Sequence, residues 1–133
     1  MCSMVLFGAP RIAKKYAENV EKLHWSEERQ MYFDSSTNGT FEEHVGYVSL
    51  FPLMLGVTAP DSPRLSALLD ALLDEAQLYT PHGVRSLSKQ DAFFANGEDY
   101  WRGHIWMNCN YMILSSLKQN YWNSKDKRTK EVK

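Results

Sequence analysis

Cysteine is scarce: the 133 residues hold two, Cys2 at the extreme N-terminus and Cys109 inside an apolar run. A disulfide framework is not expected from that pair, and a cysteine-rich structural zinc site is excluded. His24, His44, His82 and His104 show no spacing of the HxxxH kind, so no metal and no cofactor is expected. Charge of one sign is also missing, with 15 Lys and Arg against 16 Asp and Glu and a formal charge of -1. A dedicated nucleic-acid binder would carry a basic excess, so nucleic acid is not an expected partner. No apolar run approaches the ~20 residues that a membrane-spanning helix requires, which places any membrane anchor outside this chain. The opening from Cys2 to Ala9 is short and apolar but lacks the positive region of a secretory signal. There is no GxSxG nucleophile element and no phosphate-cradling glycine loop, which speaks against serine hydrolysis and nucleotide use.

What remains is a chain long enough for one compact domain. Aromatic residues make up 13%, with four Trp and seven Tyr. Ile12, Tyr16, Val20 and Leu23 recur at spacings of four, four and three, which predicts a helix over 12–23 with Lys14, Lys15, Glu18 and Glu21 mostly off the stripe. Residues 25–40 are polar, and Ser35-Ser36-Thr37-Asn38-Gly39 reads as a loop. Within it Asn38-Gly39-Thr40 is an N-glycosylation acceptor sequence, a candidate modification site in a secretory compartment.

Residues 45–57 are almost continuously apolar, broken by Pro52 and closed by Gly56. A helix buried on all sides is the preferred reading, with Pro52 near its start or at a kink, and a buried strand is the competing one. Asp61-Ser62-Pro63 supplies a cap and a first-turn proline. Leu65, Leu68, Leu69, Leu72 and Leu73 then follow the spacing of an amphipathic core helix. Residues 79–99 read as a long structured loop, and loops of that length are often functional. A last helix is expected from about Gly103 to Tyr121, and the charged stretch 123–133 is expected to be disordered.

Chemistry concentrates in Glu98-Asp99-Tyr100-Trp101-Arg102-Gly103-His104-Ile105-Trp106-Met107-Asn108-Cys109-Asn110-Tyr111. Indole faces of Trp101 and Trp106 suit the C–H surface of a hexose, and the rigid fork of Arg102 suits hydroxyl pairs or carboxylates. Asn108 and Asn110 need partners if buried, from protein or from ligand. Core packing of the two indoles, with Arg102 paired to Glu98 or Asp99, is the alternative. Arg85, in the polar run 85–91, reads as a structural brace unless its loop folds over the same cavity.

Several blocks in order then resemble one family. Leu23-His24-Trp25-Ser26-Glu27-Glu28, Gly46-Tyr47-Val48-Ser49-Leu50-Phe51-Pro52, Asp61-Ser62-Pro63-Arg64-Leu65 and Gly83-Val84-Arg85-Ser86-Leu87-Ser88-Lys89 are similar to the mannosyl-oligosaccharide glucosidases, the processing α-glucosidases of glycoside hydrolase family 63. The strongest block is Tyr100-Trp101-Arg102-Gly103, continued by Ile105-Trp106, Asn108 and Asn110-Tyr111. The resemblance covers residues 16–122 as a fragment of the catalytic domain and leaves 1–15 unassigned.

It implies an all-α fold, an incomplete part of an (α/α)6 toroid, in a membrane-anchored, lumenal enzyme of the endoplasmic reticulum. The implied reaction is inverting hydrolysis of the terminal α-1,2-linked glucose of the triglucosylated N-glycan precursor, so the implied partners are an N-linked oligosaccharide and the remainder of the catalytic domain. Tyr100, Trp101, Arg102 and Trp106 would form a glucose-subsite wall, supported by Arg85 and Asn110. The family's acid lies upstream of the matched blocks and its base in a later Gly-Phe-x-Trp-Glu motif, so no residue here is assigned as acid or base. His104 departs from the small residue or proline common in the family. A fragment of this kind would be inactive alone. A non-catalytic carbohydrate-binding or interaction fragment, and another (α/α)6 hydrolase acting on trehalose or glucosylglycerate, are the alternatives.

Overall fold

The computed structural model describes residues 9–131, so Cys2 and the rest of the opening segment lie outside it. Four α-helices carry the architecture: α1 (Ala9–Leu23), α2 (Tyr47–Met54), α3 (Pro63–Leu73) and α4 (Met107–Asn120). Between α1 and α2 the polar segment folds into two small antiparallel ladders of two-residue strands, β1 (Trp25–Ser26) with β2 (Met31–Tyr32) and β3 (Asp34–Ser35) with β4 (Phe41–Glu42). The all-α expectation therefore holds, with two hairpins where a loop was read.

The strongest local signals give the firmest element. Ser62 caps α3 by accepting from the Arg64 amide at 3.2 Å, and Pro63 takes the first helical position, where no amide is needed. Leu65, Leu68, Leu69 and Leu72 are buried on the stripe their spacing predicts, and Leu73 packs against the core's edge. They meet Leu50, Leu53 and Met54 of α2, Cys109, Ile113 and Leu117 of α4, and the aromatic rings of Trp25, Tyr32 and Tyr121. The thiol of Cys109 is free, and burial pushes its pKa up.

Several expectations change. The helix α2 is shorter than 45–57, and Pro52 sits near its C-terminal end, not its start. Val48, Phe51 and Leu55 form an exposed line on it, so burial is not on all sides. In α1 the stripe is likewise uncovered: Val20 reaches the core, while Ile12, Tyr16 and Leu23 face solvent. That helix begins at Ala9, so residues 9–15 of the segment left unassigned are helical.

From Ser124 onward the stretch expected to be disordered takes a defined course up to residue 131. Ser124 donates to the Pro60 carbonyl at 2.7 Å, Asp126 caps a 3-10 turn (Lys127–Lys130), and Thr129 is buried. Arg128 binds Asp70, Ser66 and Asp126, pinning the turn to α3. Opposite charges close in space outweigh the repulsion that a charge-rich composition suggests.

Candidate active-site wall

The N-terminus of α2 is where the chemistry gathers, because three distant segments meet there. Backbone of residues 84–88 runs beside Gly46 on one side and beside 103–105 on the other: Tyr47 N donates to Ser86 O at 3.1 Å, and Ser86 N donates to His104 O at 2.9 Å. This pairing consumes residues 103–105 as extended chain and delays α4 to Met107, four residues after the expected start. Gly46 is essential to the approach. A Cβ there would stand 2.3 Å from the Ser86 carbonyl oxygen, a distance real side chains do not reach.

Buried between these strands, the Tyr47 hydroxyl serves as a hub. It donates to the Val84 carbonyl at 2.6 Å and accepts from the Trp106 amide at 2.9 Å and from Asn110 Nδ2 at 3.0 Å. Burial pushes its pKa up, so the phenol stays a donor through mildly alkaline pH. Asn110 completes the brace, with Oδ1 accepting from the Val84 amide at 2.7 Å and Nδ2 also reaching the carbonyls of Val84 and Trp106.

Above this brace stand the aromatic residues singled out in sequence. A 3-10 turn (Asp99–Trp101) folds Tyr100 and Trp101 back over Trp106. The two indoles stack at 3.9 Å between centroids with 13° between planes, and Tyr100 meets Trp106 edge-on at 4.5 Å. Trp106 Nε1 donates to the Tyr100 carbonyl at 3.1 Å and so fixes the turn. Stacked on Trp106 and edge-on to Tyr100 at 6.0 Å, Trp101 remains 54% exposed and lines a cavity of ≈ 380 Å³. Asp34, Glu42, His44, Gly46, Tyr47 and Ser86 are among the other lining residues.

The remaining candidates lie elsewhere. Arg102 does not line the cavity: its guanidinium donates to the Asn96 carbonyl and lies 5.2 Å from the Phe93 ring. Phe93 in turn lies 5.0 Å from the His44 ring, so Arg102 reaches the cavity at second hand. Arg85 is a brace, its Nη1 donating to the carbonyls of Glu75, Gln77 and Tyr79 at 3.2, 3.1 and 2.7 Å. The loop that carries it does fold over the same cavity, through Ser86 and Leu87. Asn38 is exposed at the tip between β3 and β4, remote in sequence from the aromatic wall.

Sequence reasoning missed four lining residues. Asp34 and Glu42 face each other as register partners of one ladder, and reading residues 25–40 as polar marks neither of them. His44 Nδ1 lies 2.8 Å from Asp91 Oδ2, a pair 47 residues apart that only the fold creates. Tyr47 stood in a block read for its apolarity, where the hydroxyl was the available signal.

Comparison with known proteins adds a family to this geometry. Residues 9–133 match the glycosyl hydrolase family 63 C-terminal domain. The probable mannosyl-oligosaccharide glucosidase of Schizosaccharomyces pombe is 52% identical over 110 residues, covering 80% of this chain and 14% of that protein. The mannosyl-oligosaccharide glucosidase of Saccharomyces cerevisiae is 37% identical over 117 residues, covering 84% of this chain and again 14% of the relative. This chain therefore spans about 14% of the length of these curated relatives. Among solved structures, a family 63 mannosylglycerate hydrolase of Thermus thermophilus aligns with a TM-score of 0.65 at 24% identity, over 86% of this chain and 27% of that one. The four helices are thus part of an (α/α) toroid.

Proposed function

Because the chain belongs to glycosyl hydrolase family 63, we propose that it forms one wall of the sugar-binding cavity in a mannosyl-oligosaccharide glucosidase. The reaction is inverting hydrolysis of the terminal α-1,2-linked glucose of the triglucosylated N-glycan precursor, in the lumen of the endoplasmic reticulum. The observation that carries this reading is the Trp101 ring lining a cavity that also holds Asp34, Glu42 and His44. An indole offers a flat apolar face to the sugar ring, while carboxylates and imidazole take its hydroxyls, the mixed lining expected of a small-ligand site.

Within that cavity Trp101 is the subsite wall, and Tyr100 and Trp106 back it. Arg102 positions the 93–97 turn, and Arg85 and Asn110 hold the 84–88 backbone in place. Inversion needs an acid and a base on opposite faces of the sugar, about 6.5–9.5 Å apart. Asp34 and Glu42 approach from the same hairpin, so they serve as hydroxyl acceptors rather than as that pair. The acid and base are assigned to the remainder of the catalytic domain. Membrane anchorage would also come from elsewhere, since no helix among the described residues is long and apolar enough to cross a bilayer.

Trp101→Ala in the full-length enzyme tests the wall directly. Removing one aromatic face that contributes ~1.4 kcal/mol lowers kcat/KM about tenfold. Release of glucose from triglucosylated glycan is the readout, with circular dichroism confirming an unchanged fold. Undiminished turnover would refute the assignment, and release from trehalose in place of the glycan would refute the substrate.

A further inference from the structure

Asp91 closes the polar run 85–91 with its side chain only 6% exposed. One carboxylate oxygen, Oδ1, accepts from the Phe93 amide at 2.8 Å, and the Asp91 amide donates to the Ser88 carbonyl at 3.0 Å. Local backbone therefore fixes the carboxylate, and its second oxygen, Oδ2, takes Nδ1 of His44 at 2.8 Å. Phe93 also places its ring 5.0 Å from the imidazole, so one short turn grips His44 twice. A carboxylate only accepts hydrogen bonds, so the proton on this contact belongs to Nδ1. In the neutral ring Nε2 then keeps a bare lone pair. Among the described residues Nε2 has no hydrogen-bond partner, and His44 lines the cavity with Asp34, Glu42 and Trp101.

We propose that His44 is a specificity-determining residue, its Nε2 accepting a hydrogen bond from one hydroxyl of the bound glucose, and that Asp91 is the positioning residue that sets this tautomer. The inference rests on the sugar-cavity reading above and names what the polar side of that cavity selects. Asp34 and Glu42 are acceptors too, so these two carboxylates and Nε2 together offer lone pairs and no proton. The ligand that fits them is a neutral sugar whose hydroxyls all donate toward one side. A sugar bearing a carboxylate or phosphate there would set negative charge against Asp34 and Glu42. An imidazole with its proton on Nε2 would donate instead, and so would admit an ether oxygen or an anion at the same place. Holding the proton on Nδ1 is what Asp91 contributes.

The test compares the full-length wild-type enzyme with Asp91→Asn and His44→Phe. Asn at this position keeps an oxygen for the Phe93 amide but turns its NH2 group toward Nδ1, which moves the imidazole proton to Nε2. The probes are an α-1,2-linked glucose disaccharide and its derivatives with one terminal-ring hydroxyl replaced by fluorine, which cannot donate. Each competes against trimming of the triglucosylated glycan, followed by glycan mass, about one pH unit above the ordinary imidazole value of ~6.5. In the wild type, fluorine at the hydroxyl that meets Nε2 should weaken inhibition about tenfold. Asp91→Asn should remove most of that penalty and leave those at the other positions as they were. The His44 side chain is 43% exposed, so His44→Phe gives the same reading independently of how Asp91→Asn folds. An Asp91 that only supports its loop would weaken all the probes alike. Equal weakening across the set, or penalties identical in the wild type and both variants, overturns the proposal. A wild type that trims the glycan yet shows no fluorine penalty sinks this assignment alone, whereas one that trims no glycan sinks the glucosidase reading with it.

Discussion

At the scale of single residues, one phenol oxygen ties together the three segments that make the cavity. Replacing Tyr47 with Phe leaves the Trp106 amide without its acceptor in a half-buried setting, while Asn110 Nδ2 keeps the carbonyls of Val84 and Trp106. Orphaned groups of this kind cost about 1–3 kcal/mol, so Tyr47→Phe should lower stability to chemical denaturation by that amount. The indole stack should loosen with it, seen as a weaker near-ultraviolet circular dichroism signal. Gly46→Ala should be harsher, because the new methyl would drive the Ser86 backbone away from α2. Loss of the cavity's tryptophan signature with retained helix content is the expected result. These residues also show where sequence reading stops. Trp101 and Trp106 were legible as a pair beside a helix start, but not that their rings stack. Arg85 was legible as a brace, whereas the surroundings of Arg102 and Asn110 were not, since their partners are mostly backbone groups, which leave no mark in the amino-acid order.

Helices and turns were legible in proportion to how local their determinants are. The helix α3 announces itself through a cap, a proline and a leucine period, all contained in thirteen residues from Asp61 to Leu73. Ser62→Ala should therefore cost about 1 kcal/mol, measurable as a shift of the denaturation midpoint. The start of α4 was misplaced because Gly103–Ile105 has a better use as a partner for residues 85–86. The final turn was hidden because its stability lies in contacts with α3 that are 58 and 62 residues distant. That turn responds to acid. Hydrogen bonding from Arg128 holds the Asp126 carboxyl below its ordinary value of 3.8. Its contribution is complete above that ordinary value and is lost as pH falls through the lower, folded-state one. Hydrogen exchange should show residues 124–131 losing protection on acidification before α3 and α4 do.

Taken whole, the described residues form a single buried core and carry apolar faces that none of them covers. Val48, Phe51 and Leu55 line one side of α2, and Met107, Tyr111 and Leu114 recur along α4 at spacings of four and three. Lines of this length normally face another packed layer. The 133-residue chain alone should therefore self-associate, read by sedimentation velocity over a range of concentrations. Replacing Phe51 and Leu55 with Lys should favour the monomer without lowering thermal stability, because neither side chain is part of the buried core.

The cavity itself draws on residues 34–51 and 86–101, with the exposed 92–99 segment leading into its aromatic side. A single proteolytic nick in that segment would leave the leucine core intact, yet it would part residues 84–91 from the turn that carries Trp101. Resistance to nicking in the presence of a bound sugar would thus report occupancy of the site without any need for turnover.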